Sequence, residues 1–120
     1  MRIEEELKLD FQDVLIRPKR STLTSRSEVD ISREFVFRHS GRIYRGVPVI
    51  AANMDTVGTF EMALALNKYE LATALHKHYE ERDLVAFFKA LPEASPVFYS
   101  MGITREDYEK FCRVKNEAGD

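Results

Sequence analysis

Val47-Pro48-Val49-Ile50-Ala51-Ala52, running on into Asn53-Met54-Asp55-Thr56-Val57-Gly58-Thr59-Phe60, is the stretch whose reading decides the fold. The first part is a continuous apolar run. Its length and β-branched content predict a strand buried on both faces, with Pro48 tolerated near its start. The second part turns polar, and Thr59 offers a hydroxyl to cap a helix in which Phe60, Ala63 and Leu64 share a face. A buried strand leading directly into a capped helix is the beginning of a βα unit.

The pattern repeats downstream. Leu71-Ala72-Thr73-Ala74-Leu75 reads as a second buried strand. Leu84, Phe87, Phe88 and Leu91 stand at i, i+3, i+4 and i+7, an apolar helical stripe bracketed at its far end by Pro92 and Pro96. Val97-Phe98-Tyr99 gives a third short strand. Thr104, followed by Glu106 and Asp107, starts a last helix, because a hydroxyl cap and early acidic residues satisfy its free amides and its dipole. Tyr108, Phe111 and Cys112 are expected to face inward on it.

Upstream of Gly46 the pattern is irregular. Phe35 and Phe37 alternate with Val36 and Arg38, Ser40-Gly41 supplies a turn, and Ile43-Tyr44 begins a return strand, so a hairpin is expected. Two parts follow: residues 1–45 as an N-terminal arm and hairpin, and residues 46–120 as three βα units. Consecutive right-handed crossovers put their helices on one side of the sheet. Three strands added in sequence order leave the other face bare unless the sheet closes on itself. The expected fold class is therefore α/β, the N-terminal part of a (β/α)8 TIM barrel, of which about 250 residues make all eight units. A flavodoxin-type domain needs about five strands, and the first 45 residues do not supply two suitable ones.

Bulk properties narrow the function. Eighteen basic and twenty acidic residues give a formal charge of −2, which argues against a general affinity for nucleic acid or anionic membranes. Arg17, Lys19, Arg20 and Arg26 form a local basic cluster, readable as a solvated loop or as an anion-binding arm. The opening residues include Glu4, Glu5, Glu6 and Asp10 and hold no signal-peptide core, and no stretch approaches the roughly 18 apolar residues of a membrane span. Cys112 is the only cysteine, which excludes an internal disulfide and fits a reducing, cytoplasmic setting. On the inner face of a helix it is read as a small core residue, not a nucleophile.

The chemistry-bearing residues follow strands. Gly58, beside a helix start, suits either an anion-approaching backbone or a simple capped turn. His76-Lys77-His78-Tyr79 follows the second strand directly, so alternation puts both histidines on one side and Lys77 on the other. No third ligand stands near the histidines, so no metal site is expected. A lysine at a strand's carboxyl end can hold a phosphate or a nicotinamide dinucleotide, or relay a proton.

These residues together resemble the N-terminal third of the guanosine monophosphate (GMP) reductase family. The likeness runs from Leu7-Lys8-Leu9-Asp10-Phe11 through Asp13-Val14-Leu15-Ile16-Arg17-Pro18-Lys19-Arg20-Ser21 and Ser25-Arg26. It continues to Ala52-Asn53-Met54-Asp55-Thr56-Val57-Gly58-Thr59-Phe60 and His76-Lys77-His78-Tyr79. Inosine monophosphate (IMP) dehydrogenases share the barrel and a related motif. They typically lack an asparagine at the place of Asn53 and carry threonine at the place of Gly58. They also carry a regulatory insertion where this chain passes from Leu91 to Val97 within a few residues.

The resemblance implies NADPH-dependent reductive deamination of GMP to IMP and ammonia, through a cysteine that attacks purine C2 before hydride transfer. It places Met54 beside the nucleotide and Lys77 near the cofactor and the proton-transfer machinery. It places Ser25 and Arg26 against the cofactor of a neighbouring subunit in a homotetramer. The family's cysteine, its assisting threonine and glutamate, its main phosphate loops and its loop for a monovalent cation such as potassium belong to later strands. Cys112 does not match the nucleophile, and these 120 residues alone are expected to be inactive. The alternatives are a non-catalytic binding or assembly partner of a full-length homologue, or an IMP dehydrogenase-like fragment.

Overall fold

A computed structural model describes residues 6–92 and 95–119. The acidic residues Glu4 and Glu5 lie outside the described residues. Two short 3-10 turns, Phe11–Asp13 and Arg26–Glu28, precede β1 (Arg33–Val36), β2 (Ile43–Ala51), α1 (Phe60–Asn67), β3 (Leu71–Leu75), α2 (Glu81–Ala90), β4 (Val97–Tyr99) and α3 (Arg105–Ala118). The sheet order is β1-β2-β3-β4.

β1 and β2 form the expected hairpin, antiparallel from Arg33 opposite Gly46 to Val36 opposite Ile43. The amide of Phe37 donates to the Arg42 carbonyl at 2.9 Å and closes the turn. The Phe37 ring also meets Phe98 of β4 edge-on, with centroids 6.0 Å apart. β2 then continues past Gly46 and pairs in parallel with β3, which pairs in parallel with β4. Each of these three strands leads into a helix, as the repeating pattern requires.

Local chemistry explains the helix starts. Thr59 accepts from the Met62 amide at 3.2 Å and caps α1. Thr104 and Asp107 form a reciprocal capping box on α3, each side chain accepting from the other's backbone amide. Among the described residues no side chain caps α2 at Glu80. Glu81 and Asp83 in its first turn and Lys89 in its last complement the helix dipole instead. Leu91 closes α2 by donating to the carbonyls of Phe87 and Phe88, and Pro92 follows it.

The core lies where α1, α2 and α3 meet the sheet. Ala63, Leu75, Leu84, Val85 and Val114 are buried, flanked by Phe60, Tyr79, Phe87, Phe88, Val97 and Tyr99. Burying the Leu and Val side chains among these stabilises by about 1.5–3 kcal/mol each, and Ala63 contributes less.

Three expectations are corrected. The Val47 run is not buried on both faces, since Val49 and Ile50 are 53% and 58% exposed. β1 pairs only with the 43–46 part of β2, and α1 packs on β3. Leu64 is exposed for the same reason, leaving Ala63 as the buried residue of α1. On α3 the buried residue is Val114, while Tyr108 is exposed and Cys112 half-buried. The cause is that α3 packs against α2, a contact that takes the side of the helix carrying Val114, rotated away from Tyr108 and Cys112.

Candidate functional site

The carboxyl ends of β2, β3 and β4 carry three loops, and hydrogen bonds join them in order. After β2, the amides of Val57 and Gly58 both donate to the Met54 carbonyl, at 2.9 and 2.8 Å, making a tight turn. The Gly58 carbonyl accepts from the His76 amide at 3.0 Å, which ties this turn to the end of β3. A Cβ on Gly58 would lie 2.2 Å from the Ala74 carbonyl oxygen and 2.9 Å from that of Ala52. Only glycine fits there. Of the two readings of Gly58, the geometry supports the close-packed turn, because its amide is used inside the loop.

The second loop is built on stacked rings. His76 lies on Tyr79 (4.1 Å between centroids), Tyr79 on Phe60 (3.7 Å) and Phe60 on Phe87 (4.2 Å), all within 16° of parallel. The Phe60 amide, in the first turn of α1, donates to the Tyr79 hydroxyl at 3.0 Å. His78 Nε2 stands 3.5 Å from Asp55 Oδ1, a polar link between the first two loops at the solvent surface. The rings of His76 and His78 stand 5.9 Å apart between centroids, but residues 76–79 form a turn and Tyr79 also stacks on His76, so the strand alternation expected here does not continue past Leu75.

The third loop joins through backbone and charge. The Ser100 amide donates to the Leu75 carbonyl at 3.1 Å. The Lys110 ammonium, from α3, reaches back to donate to the carbonyls of Lys77 (3.3 Å) and Tyr79. Asp107 accepts from the Thr104 hydroxyl at 2.6 Å. The Thr104 hydroxyl and then its amide hold the Asp107 carboxyl below its ordinary value; partial burial opposes them, and the charges of Lys77 and Lys110 add to the lowering.

Lys77 and Met54 both lie on this rim with exposed side chains. Ser25 and Arg26 lie elsewhere. Ser25 caps the turn Arg26–Glu28 with its hydroxyl 2.8 Å from that of Ser27, and both residues are exposed. Among the described residues no hydrogen bond or ion pair ties them to the rim. The arm that carries them leaves Phe11, Leu15 and Ile16 92%, 97% and 97% exposed. Asp55 stands just beyond β2 at the mouth, as the sequence implies, whereas Asp107 and Lys110 are rim members that the sequence reading does not reach. The Thr104-to-Asp107 spacing signalled only a helix start, and nothing local marks Lys110, whose partners are 31 and 33 residues away.

Residues 8–94 match the family model described as the IMP dehydrogenase / GMP reductase domain. The chain belongs to this family. Within it, the chain is 58% identical over 116 residues to a protein from Citrobacter koseri named GMP reductase, a span that covers 95% of this chain and 33% of that protein. It is 54% identical, over the same shares, to GMP reductases of Salmonella typhi and Salmonella newport. This member of the IMP dehydrogenase / GMP reductase family thus spans about a third of the length of the relatives it matches. The match to the family model includes the first two rim loops whole, and Lys77 and Met54 with them.

Proposed function

We propose that this chain forms the opening part of a (β/α)8 barrel that carries out the reductive deamination of GMP to IMP and ammonia, using NADPH, as a homotetramer in the cytoplasm. The observation that carries the reading is the likeness over 95% of the chain to proteins named GMP reductase. The fold supports it. β2, β3 and β4 are parallel and in sequence order, and their loops converge at the carboxyl ends, where barrel enzymes do their chemistry.

In this reading Met54 lies beside the nucleotide, and Lys77 serves the cofactor side and the movement of protons. Ser25 and Arg26 reach the cofactor bound by a neighbouring subunit. The donor set fits such a dinucleotide: an exposed ammonium on the rim and an exposed guanidinium on a free-standing arm suit its phosphates. When bound, NADPH supplies the hydride. Lys77 holds charge at the rim, and the Gly58, His76 and Tyr79 contacts keep its loop in place. The nucleophilic thiol is assigned to residues outside these 120, so the chain by itself is expected to give no turnover.

The test joins this chain in frame to the remaining two-thirds of the Citrobacter koseri protein and follows NADPH absorbance. Oxidation that depends on GMP and releases ammonia is expected. A fused protein that ignores GMP and instead reduces NAD with IMP would overturn the assignment in favour of the dehydrogenase side of the family.

A further inference from the structure

We propose that Lys110 is a positioning residue for Lys77. The inference rests on the reading of Lys77 as a working residue of the rim. Lys110 lies on α3, three residues after Asp107, so both side chains leave the same face of the helix. Its ammonium donates to two carbonyls of one loop, those of Lys77 and Tyr79, which bracket His78. An ammonium carries three donors and no acceptor, so it can hold two carbonyls at once and leave the third donor to water.

Two carbonyls fixed to one point constrain the Lys77–His78 and Tyr79–Glu80 peptide planes. They therefore set the direction in which the Lys77 side chain leaves the backbone. Tyr79 is already held from its other side by the Phe60 amide and ring. Lys77 itself is exposed, and among the described residues its carbonyl's partner is Lys110. The attachment of α3 to the fold does not depend on this bond. Val114 sits in the core, and Arg113 donates to both carboxylate oxygens of Glu81 at 3.1 and 2.8 Å. Lys110 thus acts on a loop, while the helix is held by other residues.

Two measurements test this. In the 120-residue chain, Lys110→Met is expected to raise amide hydrogen exchange at residues 77–79 by about tenfold, the scale of losing a charged hydrogen bond. Exchange at Val85 and Val114 should stay unchanged, and Lys110→Arg should restore most of the protection. In the fused reductase, Lys110→Met should lower kcat without raising KM for GMP, and should have no further effect once Lys77 is already Met. Unchanged exchange at 77–79, or a uniform rise that includes the core, would overturn the proposal. So would additive losses of kcat in the double variant. Failure of the reductase reading itself is separable, because it would leave the fused protein without GMP-dependent turnover while the exchange result stands.

Discussion

The backbone amide of Phe60 donates to the hydroxyl of Tyr79 at 3.0 Å while the two rings stack 3.7 Å apart. One residue of the second rim loop therefore satisfies a first-turn amide of α1 and extends the stack that runs from His76 to Phe87. Tyr79→Phe keeps the stack and removes the acceptor, so a loss of about 1 kcal/mol in urea unfolding is expected. Tyr79→Ala removes both, with an expected loss of about 2–4 kcal/mol.

Gly58 and Gly41 should respond differently to alanine. At Gly58 the added Cβ meets the carbonyl oxygens of Ala74 in β3 and of Ala52 just after β2, backbone atoms that cannot step aside. Gly58→Ala is therefore expected to cost about 1–3 kcal/mol and to loosen the rim. At Gly41, in the hairpin turn, an added Cβ meets nothing within 4 Å among the described residues, and its φ of +67° is what opposes a side chain. Gly41→Ala should cost about 1 kcal/mol and leave the rim amides unshifted in an NMR spectrum.

Thr73 offers a gain. It is buried at the centre of β3, and its hydroxyl has no hydrogen-bond partner among the described residues. Replacing that hydroxyl by a methyl group removes an unpaired polar atom from the core. Thr73→Val is expected to raise stability by about 1 kcal/mol, read from the urea midpoint.

Acid should weaken the last helix through Asp107. Its carboxyl is held below the ordinary 3.8, first by the Thr104 hydroxyl. The unfolded chain therefore binds a proton there before the folded one does as pH falls. The stabilisation is fully present above the ordinary value and is lost as pH drops through the lowered folded value. Asp107→Asn should flatten the acid limb of a stability-against-pH curve relative to the unaltered chain. Glu28 and Asp30, also lowered, should leave a residual slope.

Local signals made most of this fold legible. The runs at Leu71–Leu75 and Val97–Tyr99, the caps Thr59 and Thr104, and the Ser40-Gly41 turn all rest on chemistry within a few residues, and each element stands where expected. Burial was less legible. Whether Val49 and Ile50 are covered depends on which strand α1 packs against, and whether Tyr108 or Val114 faces inward depends on α2. The rim was half legible. Strand ends announced Asp55 and Lys77 and the family resemblance added Met54, but Lys110 and the pairing of Asp55 with His78 arise only when separate loops meet.

The most direct measurement is the steady-state turnover of the fused reductase with Lys77 replaced by Met. A drop in kcat of about 100-fold, with the fold intact by circular dichroism and GMP still bound, is the expected result for a group that supports proton transfer. Unchanged kcat in that variant would contradict the assignment of the β3 strand end as part of the working site.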